Sequence, residues 1–319
     1  FIHKSGSIFK LNINFRGDLY NTSKKWTPNN STRRLQSNPF GKNQNINRLL
    51  PSVNLEWRLP LKNTFSDTII EPIIQLSYSS DNKKNYKIPN EDSIGFELNS
   101  HNIFTENRMP GLDLWETGAR VNYGLKLSHF FNKEGIFSGM IGQSYKFKNP
   151  DFFDKGSGLE KKLSDFIIDI LFKPNKEITF SYRGRLDEND INLRRSEFDM
   201  LLNYEKWGIR AGHVLLNNVE ILNFKEQREL RFASFINITD RWLIQSAIRY
   251  DEVSKKSLNN RISLVYIDDC ISFEIGFRRK FSEYRDLKPS NSFMIKFNVF
   301  TFGGGTLNSS DRISKLWDN

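Results

Sequence analysis

The feature that most constrains this chain is an alternation of apolar and polar side chains that recurs along most of its length. In "FKLNINFRGDL", residues 9–19, apolar side chains occupy most odd positions and polar or charged ones the even positions. Successive residues of a β-strand point to opposite faces, so this segment predicts a strand with one apolar and one charged face. Such a strand fits a soluble sandwich with its apolar face inward. It also fits a membrane barrel with that face in lipid and the charged face toward a lumen.

The same period of two returns in thirteen further segments, most of them close to the roughly 9 to 11 residues that a strand needs to cross a bilayer. They lie at 53–59, 70–78, 121–130, 137–147, 166–172, 178–186, 194–204, 207–215, 230–238, 242–250, 262–266, 271–277 and 293–302. We therefore expect an all-β, antiparallel chain of about fourteen strands.

The links between these segments distinguish a membrane barrel from a soluble sandwich, because their lengths alternate. Short links lie at 61–67, 132–135, 174–177, 205–206, 239–241 and 267–269. Longer links lie at 21–48, 79–116, 148–165, 216–227, 251–257 and 282–291, with a brief exception at 188–191. Short turns on one side and long loops on the other are typical of an outer-membrane β-barrel, whose short turns are periplasmic.

Aromatic side chains favour the same interpretation. Tyr204, Trp207, Trp242 and Tyr266 all share the apolar parity and all flank short links, as the residues of an interfacial girdle do. Aromatic residues also favour strands in general, so this observation alone leaves a soluble β protein open. We predict a transmembrane β-barrel in which the charged face of residues 9–19 lines the lumen.

That assignment places many basic side chains on the lumen wall. They are Lys10, Arg16, Arg58, Arg183, Arg185, Arg195, Arg231, Arg249, Arg261, Arg278, Lys280 and Lys296. Acidic residues share the same parity, namely Asp18, Glu56, Asp187, Glu197, Asp199, Glu229 and Glu274. We expect a single arginine to belong to a cross-strand ladder of charges, and the wall as a whole to tolerate an anionic cargo.

Composition and motifs exclude several other classes. The mean hydropathy is −0.56 and no run of about 18 apolar residues exists, so we expect no transmembrane helix. The net charge of +10 comes without a basic arm, zinc-ligand spacing or helix-turn-helix pattern, so we expect no nucleic-acid partner. The four histidines are scattered, and "GQSYK" at 142–146 lacks the second glycine of a nucleophile elbow. We expect neither enzymatic activity nor a metal or cofactor.

Three stretches carry a resemblance to a known family. "RLLPSVNLEWRLPL" at 48–61, "IEPIIQL" at 70–76 and "IPNEDSIGFELNSHNIFTENRMPGLDLWETGARVNYGL" at 88–125 resemble the barrel of the LPS-assembly outer-membrane proteins of the LptD family, in the style of its alphaproteobacterial members. "GQSYKF", "GSGLEKKLSDF", "FSYRGRLDENDINLRRSEFD", "YIDDCISFEIGFRRKF" and "FTFGGG" follow in the family's order. Met109-Pro110 departs from the family's usual residues.

The resemblance implies a function in the cell outer membrane. Family members receive lipopolysaccharide from a periplasmic bridge protein and insert it into the outer leaflet, together with a plug lipoprotein of the LptE type inside the barrel. Residues 1–305 would be the carboxyl-terminal part of this barrel and residues 306–319 a tail. The family's jelly roll and early strands would lie upstream.

Two site assignments follow from the resemblance. The segment with Phe293, Ile295, Phe297, Asn298 and Val299 would be the closing strand, whose weak pairing with the first barrel strand forms a lateral gate for lipid A. In the family, a cysteine pair at this position forms disulfides with cysteines of the amino-terminal region, and this chain keeps one of the two. The resemblance therefore implies that Cys270 is linked to a cysteine far upstream, with an idle thiol as the alternative.

A different class of function also stays open at this point. A self-contained fourteen-stranded channel that imports small hydrophobic or sugar solutes would show the same strand pattern.

Overall fold

A computed structural model describes most of the chain. The described residues are 1–22, 25–28, 35–38, 44–63, 65–80, 88, 92–93, 97–131, 134–149, 153, 156–219, 224–281 and 289–299.

The described residues contain seventeen strands, fourteen of them at the predicted alternating segments and three within predicted links. They are β1 (Ile8–Thr22), β2 (Lys25–Pro28), β3 (Leu35–Asn38), β4 (Gln44–Arg58), β5 (Leu61–Lys62), β6 (Thr68–Ser79), β7 (Gly118–Phe131), β8 (Gly135–Lys146), β9 (Phe166–Lys173), β10 (Ile178–Leu186), β11 (Leu193–Asn203), β12 (Trp207–Val219), β13 (Phe224–Asn237), β14 (Trp242–Asp251), β15 (Lys256–Ile267), β16 (Ile271–Lys280) and β17 (Ser290–Val299).

Fifteen of the strands form one sheet with antiparallel neighbours throughout. Its order is β1-β4-β6 and then β7 to β17 in sequence, with short β5 beside β6 and off this path, while β2 and β3 form a separate hairpin. The fourteen strands along the path correspond to the fourteen predicted segments, so the predicted all-β antiparallel fold is confirmed. Within the described part of the chain, the order ends at β1 and β17, and no pairing joins these two strands.

The two faces of the sheet have the polarity of a membrane barrel. Leu11, Phe15 and Leu19 of β1 are 60%, 75% and 88% exposed, whereas Ser52 and Asn54 of the neighbouring β4 are buried on the opposite face. A soluble sandwich buries the apolar positions and exposes the polar ones, which is the reverse. The apolar face is therefore the outer, lipid-facing face, and we call the polar one the inner face.

Aromatic residues gather on the outer face beside the short links, as predicted. Tyr204 stacks on Trp207 with ring centroids 4.8 Å apart, and Trp242 lies 5.0 Å from Tyr266, its partner in register. Among the described residues, no helix has the length and apolarity needed to cross a bilayer.

A hydrophobic core lies on the inner face beneath two link segments. Leu98, Ile103 and Met109 of residues 97–117, which we call the inner segment, pack with Leu159 and with Ile167 of β9. Segments that link the strands thus cover part of the polar inner face.

The expected long link 21–48 is shortened at both ends, because β1 runs to Thr22 and β4 begins at Gln44, and β2 and β3 form within it. Two further links are shorter than the sequence indicates. The expected long link 216–227 is mostly strand, because β12 runs to Val219 and β13 begins at Phe224, with Asn217 still paired to Glu226. The expected long link 251–257 is a four-residue turn, with Lys255 at a φ of 54°. In both places hairpin pairing continues beyond the apolar positions, since backbone pairing does not require the apolar alternation.

Part of the predicted carboxyl end lies outside the described residues. The last predicted strand, 293–302, is described as far as Val299. Residues 303–305 and the tail at 306–319 are not among the described residues.

Candidate functional site

A buried carboxylate joins the inner segment to the sheet. Glu116 is 1% exposed and accepts a hydrogen bond from Arg108 Nε at 2.7 Å. Lys146 Nζ of β8 lies 2.7 Å from it, and Arg120 Nη1 of β7 lies at 3.4 Å. Burial by itself would raise the pKa of Glu116, but the charges of Arg108, Arg120 and Lys146 hold that pKa well below its usual value.

The inner segment has a turn at Gly111, whose φ is +72°. The Asp92 carboxylate accepts the backbone N–H of Leu112 at 2.7 Å and that of Asp113 at 3.1 Å, which fixes the turn. A Cβ at Gly111 would lie 2.3 Å from Asp92 Cγ, so the turn requires glycine both for its φ and for this close approach.

Arginines on the first strands hold the same turn. Arg48 of β4 donates to the carbonyl of Asp113 at 2.6 Å and to that of Leu112 at 2.9 Å, and its Nε donates to Asp18 at 2.8 Å. Arg16 of β1 donates to the Leu112 carbonyl at 2.7 Å and lies over the Trp115 ring at 5.2 Å. The inner segment is therefore held by charged side chains at the first two strands of the sheet and again at β7 and β8.

A polar cavity of about 480 Å³ lies between the inner segment and strands β9 to β11. Glu97, Arg183, Arg195 and Glu197 line it, together with Asn99, Ser100 and Asn102 of the inner segment. Arg195 pairs with both Glu97 and Glu197, and Arg183 lies 3.1 Å from Glu197. The cavity offers hydrogen-bond donors and acceptors in similar measure, which suits hydroxyl-rich groups.

Three carboxylates close to this cavity have the spacing of cation ligands. Asp165, Asp187 and Glu188 each bring a carboxylate oxygen within 4.8 Å of the others. Arg194 is paired with all three, and Arg185 Nε lies 3.3 Å from Asp165. Burial raises the pKa of Asp165 to about 7, against the opposing charges of Arg194 and Arg185. The arginines supply the positive charge that a metal ion would otherwise bring.

Comparison with known proteins supplies the family. The family model described as "LptD: LPS transport system D" matches residues 1–242. The chain belongs to the LptD family.

Two curated relatives agree with this assignment. The LPS-assembly protein LptD of Histophilus somni is 23% identical over 282 residues, which cover 78% of this chain and 36% of the relative. The LPS-assembly protein LptD of Pectobacterium atrosepticum is 21% identical over 279 residues, which cover 80% of this chain and 35% of the relative. This LptD-family chain thus spans about a third of the length of the curated relatives it matches.

Solved structures of porin variants also align with it. One variant of the Rhodopseudomonas blastica porin has 6% identity and a TM-score of 0.33, and covers 92% of this chain and 100% of its own. A triple mutant of the same porin has 7% identity and a TM-score of 0.32 at the same coverage. At these TM-scores the likeness carries no argument.

The predicted basic wall of this LptD-family chain lies on the inner face, largely in ion pairs. Residues with a carboxylate partner are Arg16, Arg58, Arg183, Arg185, Arg195, Arg231, Arg249 and Arg261. Lys10 faces Glu56 in register, Lys296 faces Glu274, and Lys280 faces Asn259. Arg278 donates to the side chain of Asn259 at 3.1 Å. Of these ion pairs, those of Arg183, Arg249 and Arg261 join neighbouring strands, as the expected ladder would. The ladder and the collective role of the wall stay predictions.

The predicted closing strand and cysteine lie at the other end of the sheet. Phe293, Ile295, Phe297 and Val299 of β17 share the outer face, and Asn298 donates to Ser272 of β16 at 2.9 Å. Cys270 is an exposed free thiol in the turn between β15 and β16. The gate and the disulfide stay predictions.

The most densely paired residues of the inner face are absent from the predicted site. Arg48, Arg120 and Lys146 have inward parity on β4, β7 and β8, so the alternation rule that found the other basic residues could have found them. Glu116 and Arg108 lie in a link without periodicity, and no local signal in the sequence marks them.

Proposed function

We propose that this LptD-family chain is part of an outer-membrane translocon that inserts lipopolysaccharide into the outer leaflet. The observation that carries the proposal is the family match over residues 1–242, with relatives named LPS-assembly protein. The role is one of transport in the cell outer membrane and not one of enzymatic catalysis.

The proposed route uses both faces of the sheet. The saccharide of the lipopolysaccharide passes along the polar inner face, where charged and amide side chains replace its contacts with water. Its acyl chains leave sideways at a seam beside β17, whose Phe293, Ile295, Phe297 and Val299 are 83%, 71%, 61% and 56% exposed. A strand with a free edge next to lipid is costly to leave unpaired, so the seam would close again after each passage.

Two protein partners belong to the proposal. A plug lipoprotein of the LptE type would occupy the barrel interior, and a periplasmic bridge protein would deliver lipopolysaccharide through an amino-terminal domain. Both are implied by the resemblance to the family.

Depletion of the protein in its own host tests the proposed function. We expect newly made lipopolysaccharide to stop arriving at the cell surface, as measured by surface labelling after a metabolic pulse, and to resume when the gene is restored. If delivery continues in depleted cells while the uptake of a small solute falls, the translocon is contradicted and the channel is favoured.

A further inference from the structure

Four arginines form a continuous band across the inner face of four neighbouring strands. Arg231 of β13 faces Arg249 of β14 in register, and Arg261 of β15 faces Arg278 of β16. Arg249 also faces Asn259, two residues from Arg261, so the two pairs are diagonal neighbours. Like charges directly opposite one another destabilise a sheet, and this arrangement occurs twice in succession. We call these four residues the arginine band.

Only part of the charge of the arginine band is matched by the ion pairs described for it. Glu229 accepts from Arg231 at 2.5 Å and from Arg249 at 2.8 Å, so one carboxylate serves two guanidinium groups. Glu274 pairs with Arg261. The hydrogen bond of Arg278 goes to the neutral amide of Asn259, and its partner in register on β15 is Arg261. Two carboxylates, Glu229 and Glu274, thus pair with three of these arginines, and Arg278 bonds to a neutral amide.

One member of the band is buried with an unused donor. The Arg261 side chain is 5% exposed, and within the described part of the chain its Nε has no hydrogen-bond partner. Leaving a buried charged donor unpaired costs more than leaving a neutral one. The Arg231 and Arg249 side chains remain 30% and 37% exposed, so a ligand can reach the band from the inner side.

We propose that the arginine band binds phosphate groups carried by a saccharide. A phosphate has several charged oxygens and can accept from more than one planar guanidinium fork, which matches the number, charge and spacing of these donors. A neutral saccharide offers hydroxyl groups but no negative charge for the guanidinium groups. The inference deepens the proposed function, on which its biological meaning rests, because it assigns the phosphates of the transported glycolipid to a place on the wall.

Direct binding tests the band. The probes are a disaccharide bisphosphate, its unphosphorylated counterpart and inorganic phosphate, each titrated by calorimetry into the complete protein in detergent micelles at low salt. We expect the bisphosphate to bind more tightly than inorganic phosphate, and the unphosphorylated disaccharide not to bind. Arg278→Gln should weaken bisphosphate binding by about tenfold, since it removes charge-assisted hydrogen bonds without depriving a carboxylate of its partner.

A neighbouring arginine on the other face supplies the matched control. Arg279→Gln removes the same charge one residue away, where Arg279 lies over the Phe281 ring at 4.6 Å, and should leave the affinity unchanged. If Arg278→Gln fails to assemble, Arg278→Lys keeps the charge but loses the planar fork, and should weaken binding by a smaller factor.

Several results would overturn the phosphate site. They are equal affinity of the wild type and Arg278→Gln, binding of the unphosphorylated disaccharide, or tighter binding of inorganic phosphate than of the bisphosphate. If the bisphosphate binds only after an acidic protein partner has been removed, the arginine band is the binding site of that partner and not of phosphate. Because these titrations involve no transport, a failed site and a failed translocon give different results.

Discussion

At the scale of single residues, Glu116 is the side chain on which the inner segment depends most. Glu116→Gln keeps the shape of the side chain but removes its charge, which leaves Arg108, Arg120 and Lys146 buried without this carboxylate. Breaking a buried ion pair from one side costs about 3 to 5 kcal/mol, so we expect a loss of that order in the free energy of unfolding. Urea unfolding of the complete protein in lipid vesicles measures it.

A surface pair supplies the control for this change. Glu177 is 27% exposed and lies 3.9 Å from Lys176, so Glu177→Gln should change the free energy of unfolding by less than about 1 kcal/mol. Similar losses for the two variants would mean that the Glu116 cluster does not stabilise the fold.

The same carboxylate predicts how stability depends on pH. A free glutamate has a pKa of about 4.3, and that of Glu116 in the folded protein is lower. Its contribution is therefore complete above the unfolded pKa and is lost as the pH falls through the lower folded pKa. The stability difference between the wild type and Glu116→Gln should shrink steadily below about pH 4. A difference that stays constant down to pH 2 would contradict this cause.

The alternation of residues predicted which side chains lie on the inner face, but it did not predict every pair that they form. The parity of Arg183 and Glu197 places both on one face, and their register then makes them an ion pair. The pairing of Glu116 with Lys146 has no such origin, because it depends on how a long link folds back onto the sheet.

At the scale of elements, the turn at Gly111 sets the path of the inner segment. Gly111→Ala would place a Cβ against Asp92 and require an unfavourable positive φ, at a cost of about 1 to 3 kcal/mol. We expect faster hydrogen exchange at the Leu112 and Asp113 amides, which donate to Asp92. Gly17→Ala in β1 is the control, since its Cβ would meet no atom within 4 Å, and should leave these rates unchanged. Unchanged exchange in Gly111→Ala would show that the turn is not a constraint.

The edge strand β17 carries the prediction about the gate. A cysteine at Asn298, cross-linked to the first strand of the complete barrel, should arrest lipopolysaccharide delivery while the barrel stays assembled, and reduction should restore delivery. The matched cross-link joins Leu171 of β9 to Ser181 of β10, which are partners in register within the wall, and should have little effect. Equal surface delivery with the β17 seam locked and unlocked would contradict a gate at this strand.

Elements differ in how far the sequence determines them. The strands were predictable because the outer face must be apolar wherever it meets lipid, which forces a period of two. The end of β12 and the beginning of β13 were not predictable, because Asn217 and Glu226 continue the pairing where the outer face is no longer apolar. The inner segment has no repeat at all, since its apolar residues Leu98, Ile103 and Met109 follow the shape of the sheet that they pack on.

At the scale of the whole molecule, the two faces of the sheet suit two different environments, lipid outside and a polar interior inside. Its outer face presents apolar side chains to lipid, and its inner face carries matched ion pairs under the inner segment and the arginine band on β13 to β16. The proposed function requires both faces, because lipopolysaccharide has a charged saccharide and several acyl chains.

Photocross-linking at two adjacent residues of β14 tests this account most directly. Gln245 lies on the inner face, where it donates to Glu274 at 3.2 Å, and Ile244 is exposed on the outer face beside a short link. We predict that a photoreactive residue at Gln245 forms adducts with lipopolysaccharide only while the cell is exporting it, and that one at Ile244 forms adducts with phospholipid. Phospholipid adducts at Gln245, or none with lipopolysaccharide during active export, would contradict the account.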